Sequence, residues 1–190
     1  MDEKKKSMRK RLSLPSMKQV GIVTKDLDNT MRYFRETLGI RPWFIPKFSG
    51  LEHYRRGKTR IEFGVRLAFA YSGNIQIEII EPGKGDDNTY SDHLKKYGEG
   101  IHHLGFYVGD LKKRLSALKA AGVEIEQSGV IKSGGKVGGS ATRYAYLDTR
   151  KTGGVIFELI QTDFLGMHIG MSRFWFELGA ITGDLVKLRD

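Results

Sequence analysis

The chain contains an approximate copy of itself. Gln19-Val-Gly-Ile-Val-Thr-Lys-Asp26-Leu27 and His103-Leu-Gly-Phe-Tyr-Val-Gly-Asp110-Leu111 share one layout, in which a polar residue opens an apolar run and an Asp-Leu pair closes it. Each copy goes on to an amphipathic stretch, a glycine with a β-branched neighbour (Gly39-Ile40, Gly122-Val123) and, much later, a glycine-led apolar run carrying one glutamate. Those late runs are Gly73-Asn-Ile-Gln-Ile-Glu78 and Gly153-Gly-Val-Ile-Phe-Glu158. Two related modules that pair about a pseudo-twofold axis bring equivalent positions face to face. Here those positions are Gln19, Glu78, His103 and Glu158.

The hydrophobic pattern makes each copy a βαβββ unit, so the expected class is α+β: two paired βαβββ modules followed by a C-terminal helix. Met17 to Val23 is short and rich in β-branched residues, the mark of a buried strand. Asp26 is placed to cap a helix whose Leu27, Met31, Phe34 and Leu38 form one stripe, and Gly39 ends it. Strands are expected at 41–48, about 60–71 and 74–80, with Gly57 and Ser72-Gly73 as turns. The second copy repeats this with Asp110 as cap, a stripe of Leu111, Leu115, Leu118 and Ala121, Gly122 as stop, and strands near 123–131, 141–148 and 154–161. The implied boundaries are a basic, flexible leader over 1–16, a first module over 17–82, a linker over 83–100, a second module over 101–162 and a helical extension over 163–190. A short helix is expected in the linker near Ser91 to Lys96, with His93 exposed. In the extension Phe174, Trp175, Leu178, Ile181, Leu185 and Leu188 recur near a helical period, which predicts a helix from Met171 to Leu188 covering a sheet edge or subunit surface.

Composition removes several classes. The absence of cysteine excludes disulfides and thiolate metal sites, so a bound metal must use His, carboxylate or amide ligands and be a borderline or hard divalent ion. No window approaches the roughly 18 consecutive apolar residues of a membrane span, and the N-terminus lacks the apolar core of a secretory signal. A cytoplasmic protein is therefore expected. The net charge is +10, but seven basic against two acidic residues in the first 18 supply half of it. That leader reads as a solvated tail rather than a polyanion-binding arm, and nucleic acid is not an expected partner. The remaining excess is spread thinly and suits an anionic small-molecule substrate.

A strand projects alternate side chains to one face, so a polar residue in an apolar run faces either solvent or a cavity that supplies a polar partner. Taken singly, Gln19 is a strand-end amide, Glu78 and Glu158 are solvent-facing, and His103 is a satisfied core histidine. Their matched offsets on the first and last strands of both modules make them converge. One imidazole, one amide oxygen and two carboxylates form a site fit for Zn, Ni, Co, Mn or Fe(II). Such an ion acts as a Lewis acid. Glu158 and Glu78 are the candidate acid and base, since a carboxylate beside a bound carbon acid can move its proton. The stretch Lys132-Ser-Gly-Gly-Lys-Val-Gly-Gly139 lacks the Lys-Ser/Thr ending of a phosphate-cradling loop and reads as a flexible hairpin or flap. Arg143, which opens the strand beside it, is a weak candidate for anchoring substrate.

At these residues the chain resembles the vicinal oxygen chelate superfamily over about residues 17 to 162. Within it the chain looks most like methylmalonyl-CoA epimerases, through Gly-Glu-Gly-Ile-His102-His103, Ile-Glu78-Ile-Ile-Glu-Pro82 and Lys151-Thr-Gly-Gly-Val-Ile-Phe-Glu158-Leu. The resemblance implies a divalent metal, a homodimer, His103 as ligand and His102 as a neighbour facing the other way. Two positions depart from the epimerase pattern. Gln19 stands where the epimerases carry a His ligand, and Leu67 aligns with a second catalytic glutamate. A Gln, Glu, His, Glu quartet is similar to that of zinc-type glyoxalase I enzymes. Dioxygenase relatives need His, His and Glu.

The resemblance thus implies a metal-dependent isomerase or epimerase that removes a proton α to a carbonyl, plausible on an acyl-CoA thioester whose phosphates the basic surface and the 132–139 flap would suit. The alternative it leaves open is a glyoxalase I-like lyase acting on a thiol hemithioacetal. A third reading, from another class, is a non-catalytic small-molecule binding or resistance protein of the same fold. The intact quartet argues against that third reading.

Overall fold

The computed structural model describes residues 13–135 and 138–189. Most of the expected leader, and the centre of the glycine-dense flap, lie outside the described residues. The first module opens with strand β1 (Gln19–Val23) and helix α1 (Leu27–Leu38). Asp26 caps α1 by accepting a hydrogen bond from the Asn29 amide, and Gly39 ends it in the left-handed conformation at φ 68°. Then come β2 (Trp43–Pro46), β3 (Phe48–Arg56), β4 (Thr59–Ile61), β5 (Phe63–Ser72) and β6 (Ile75–Gly85). Helix α2 (Thr89–Tyr97), held by an Asn88–Ser91 capping box, crosses to the second module. His93 on α2 is buried, not exposed, because its ring packs on Tyr97 and His102.

The second module repeats the plan with β7 (Gly100–Tyr107), α3 (Leu111–Ala120), β8 (Ile125–Gly135), β9 (Gly138–Leu147), a single turn α4 (Arg150–Gly153) and β10 (Ile156–Phe164). Asp110 caps α3 through the Lys113 amide, as Asp26 caps α1. Beyond it lie β11 (Met167–Ile169), α5 (Arg173–Thr182) and β12 (Leu185–Leu188). All strands join one mixed sheet of order β12-β2-β5-β6-β1-β7-β10-β9-β8-β3-β4, with β11 on β10. At its centre β1 and β7 run antiparallel, while β1 pairs β6 and β7 pairs β10 in parallel. The pseudo-twofold axis therefore passes between β1 and β7 of one chain, and the modules pair within the chain.

Strand alternation divides the side chains between two faces. On the convex face Leu27, Met31, Trp43 and Ile79 pack under α1, and Leu111, Phe106, Leu147 and Leu159 pack under α3. The concave face carries Phe44, Tyr54, Phe63, Phe69, Tyr144 and Tyr146. One residue, Lys47, separates β2 near one end of the sheet from β3 near the other. Two Cα steps span at most about 7 Å, so the sheet curls until its ends are neighbours and its concave face becomes a cavity wall.

Two elements differ from expectation. Residues 48–61 form the hairpin β3–β4, which leaves its own module and pairs along β8 of the second, Tyr54 opposite Gly129. Nothing in the period of those residues marks a partner so distant in sequence. In the extension, α5 stops at Thr182, and Gly183 at φ 86° turns the chain so that Leu185–Leu188 pairs with β2 instead of continuing the helix. Apolar residues at 185 and 188 fit a helical stripe and a short strand equally well.

Candidate metal centre

The central strand pair sets the geometry. In the β1–β7 register Gln19 lies opposite Gly105, and Gly21 lies opposite His103. Each polar side chain therefore crosses the axis over a glycine of the other module. A Cβ at Gly21 would sit 1.9 Å from His103 Cε1, and one at Gly105 would sit 2.5 Å from Gln19 Oε1. Both glycines are required for close approach, and each lies two residues after its module's own ligand candidate. Glu78 and Glu158 arrive from β6 and β10, the parallel neighbours of β1 and β7.

All four side chains are buried, with His103 fully so. His103 Nε2 lies 3.3 Å from Gln19 Oε1, 3.3 Å from Glu78 Oε2 and 2.9 Å from Glu158 Oε2. Three oxygens thus crowd one ring nitrogen, which offers one hydrogen at most. Apart from that 2.9 Å approach to His103, the buried Glu158 Oε2 has no hydrogen-bond partner among the described residues. Glu78, His103 and Glu158 have ligand atoms within 4.8 Å of one another and form a group able to hold a metal ion. The donor set of nitrogen and hard oxygens fits a divalent ion, which would satisfy the oxygens that one ring hydrogen cannot serve. Burial works to lower the His103 pKa, but the charges and hydrogen bonds of Glu158 and Glu78 outweigh it and hold the imidazole up to about 9. Burial pushes the Glu78 carboxyl up, against the pull of His103.

Neighbouring groups fix how the four side chains point. The Gln19 amide nitrogen donates to Gln76 Oε1 at 2.8 Å, which turns its oxygen toward His103. Gln76 is held in turn by the hydroxyls of Tyr107 and Tyr71. On the other side His103 Nδ1 lies 3.1 Å from His102 Nδ1. A register shift beside Gly21 lets both adjacent histidines be buried. Burial first, and then the His103 charge, hold His102 well below the usual pKa, so it is neutral. One tautomer satisfies the whole chain: His103 Nδ1–H donates to His102, His102 Nε2–H donates to Thr89 Oγ1 at 3.1 Å, and the Thr89 hydroxyl donates to Glu126 at 2.7 Å. Gln76 and His102 are orienting groups that the repeat does not reveal, because neither has a like residue at the matching place in the other copy.

The site opens into a cavity of about 240 Å³ lined by Gln19, Glu78 and Glu158 on one side and by Tyr54, Leu67, Phe69, Tyr90, Tyr144 and Tyr146 around it. Leu67, where the epimerase pattern has a second glutamate, is part of that apolar wall. Arg143 lies apart from the quartet. It forms an ion pair with Asp163, while its strand neighbours Thr142 and Tyr144 face the cavity.

A duplicated β-rich module with a buried Glu, His, Glu group on the axis defines a class, and the comparisons agree with it. Residues 18–146 match the glyoxalase/bleomycin resistance protein/dioxygenase superfamily, and the chain belongs to that superfamily. Among curated relatives it is 25% identical over 142 residues to the protein YqjC of Bacillus subtilis (strain 168), covering 75% of this chain and 89% of that one. It is 24% identical over 153 residues to the mitochondrial methylmalonyl-CoA epimerase of Bos taurus, covering 78% and 75% respectively. Methylmalonyl-CoA epimerases are also structural neighbours. A variant of the Streptomyces coelicolor enzyme, solved with 2-nitronate-propionyl-CoA, aligns at TM-score 0.52 and 26% identity over 78% of this chain and 94% of that one.

Proposed function

We propose that the protein is a divalent-metal-dependent isomerase or epimerase that moves a proton on the carbon α to a carbonyl. The observation that carries the reading is the convergence of Gln19, Glu78 and Glu158 oxygens on the single nitrogen His103 Nε2, beside a cavity that both glutamates line. Gln19, Glu78, His103 and Glu158 would hold the ion, which when bound supplies Lewis-acid polarisation of a substrate oxygen. The rest falls to the chain. Glu78 and Glu158 come from opposite modules and so approach a bound carbon from two sides, one to take its proton and the other to return one. Burial raises the affinity of Glu78 for a proton, which suits it to hold one in passing. Tyr90 and Tyr146, hydrogen-bonded to each other at 2.8 Å, help exclude water beside the carboxylates.

A glyoxalase I-like lyase is the second reading, and Gln19 favours it. Its amide oxygen completes the quartet that the resemblance associates with that chemistry, and Leu67 removes the extra carboxylate of the epimerase pattern. The setting we propose is cytoplasmic and homodimeric, with light scattering near twice 21.5 kDa as the check on assembly. No helix among the described residues is long and apolar enough to cross a membrane.

The deciding experiment measures the metal content of the purified chain and then follows deuterium uptake from solvent by NMR. Its panel spans 2-methyl acyl-CoA thioesters, thiol hemithioacetals and compact 2-hydroxyketones. Exchange at the α carbon, dependent on metal and lost in Glu158→Gln, is the expected result. Full metal occupancy without exchange on any panel member would overturn the enzymatic reading and leave the non-catalytic binding protein in its place.

A further inference from the structure

Size, lining and cover of the cavity all point to one kind of ligand. Its volume of about 240 Å³ is below the roughly 300–1,000 Å³ of sites for drug-sized molecules and above the about 150 Å³ that admits benzene. Among the described residues no Lys, Arg or His lines it, and its charged members, Glu78, Glu158 and Asp184, are all acidic. The anionic substrate suggested by the net charge finds no side-chain cation there.

The cover is the C-terminal segment, which lies beyond the part of the chain that matches the superfamily. Residues between Ile169 and Leu185, among them Met171, Trp175 and Phe176, line the same cavity as the glutamates. They are firmly seated. The Phe176 ring meets Phe44, Phe69 and Tyr71 at centroid distances of 5.7, 5.2 and 5.7 Å, and Trp175 meets Phe164 at 5.9 Å. The Tyr71 hydroxyl donates to the Met171 carbonyl at 2.8 Å, and β12 is hydrogen-bonded to β2. Within the wall, Tyr54 is 4% exposed and its hydroxyl has no hydrogen-bond partner among the described residues. A buried, unpartnered donor on a cavity surface marks where a ligand acceptor belongs.

We infer that the C-terminal segment roofs the metal cavity and confines it to compact, uncharged ligands with an apolar body, such as 2-hydroxyketones or 1,2-diketones, whose paired oxygens face the quartet. This rests on the metal-dependent reading above and deepens it. Phe176 and Trp175 are the specificity-determining residues, and Tyr54 is the polar contact in the wall. A coenzyme A thioester brings phosphates to a wall that, among the described residues, offers them no cation.

The test titrates the cobalt-loaded full chain with three probes and reads the visible absorption of the bound ion. Benzohydroxamic and acetohydroxamic acids present the same pair of oxygens with and without an apolar ring, and propionyl-CoA presents the thioester. Benzohydroxamate is expected to bind at least roughly tenfold more tightly than acetohydroxamate, as burial of a ring implies, and propionyl-CoA to displace neither. Phe176→Ala should shrink the preference for benzohydroxamate over acetohydroxamate. Trp175→Ala, on the less buried side of α5, carries the same test if loss of Phe176 loosens the helix. Cobalt uptake with equal affinity for the two hydroxamates, or displacement by propionyl-CoA, would overturn the roof alone. A chain that takes up no cobalt overturns the metal reading and the ligand class with it.

Discussion

The two modules place their ligand candidates at equivalent positions and support them differently. In the first, Gln19 lies beside Gln76 on the parallel neighbour strand; in the second, His103 lies beside Ile156. An amide can present either end to a metal, so Gln19 needs a partner that claims its nitrogen, and Gln76 does so. An imidazole has a nitrogen on each side, so His103 needs a partner behind it, and His102 in the strand irregularity is that partner. Duplication thus preserved where the ligand candidates sit. Each copy then solved the problem of aiming a different functional group.

The sharpest way to break the comparison is at the carboxylates. Glu158→Gln and Glu78→Gln should each lower metal-dependent α-proton exchange by about 10²–10⁴-fold, the usual contribution of a positioned acid or base. A variant that keeps full activity would remove that residue from the acid–base pair. The axis glycines come next. Gly21→Ala drives a Cβ into the rigid His103 ring, whereas Gly105→Ala meets the end of a flexible glutamine. The first should destabilise the protein by about 3 kcal/mol in urea unfolding and the second by less; equal losses would mean that the two crossings are not distinguished by side-chain stiffness. The smallest effect belongs to the aiming groups. Gln76→Leu and His102→Phe should weaken metal binding by about 10–100-fold, as loss of a ligand's supporting hydrogen bond does. Calorimetric affinities unchanged from wild type in both would show that the ligands aim themselves.

What the sequence made legible follows from what repeats locally. Asp26 and Asp110 cap their helices because the Asp-Leu spacing is a local signal, and the quartet is readable because both copies keep the same offset. The Gly21 and Gly105 crossings went unread, although Gln-x-Gly and His-x-Gly are part of the repeat, because spacing alone does not show which residue a glycine faces. The pairing of β3 with β8 was not legible either, because strand periodicity gives a face but no partner. His102 was expected to face away from its neighbour, and only the irregular register buries it together with His103. His93 lies in a polar stretch, and its burial depends on packing between α2 and β7 that no window of sequence contains.

The crossings at the sheet's two ends have a consequence for how the halves can exist. The first module reaches over to cover β8 with β3–β4, and the tail of the second reaches back to cover β2 with β12. An unpaired strand edge invites association with other chains, and here each half hides the other's. Cutting the chain between the modules would therefore bare the edges of β2 and β8, so the doubling is also a mutual cover.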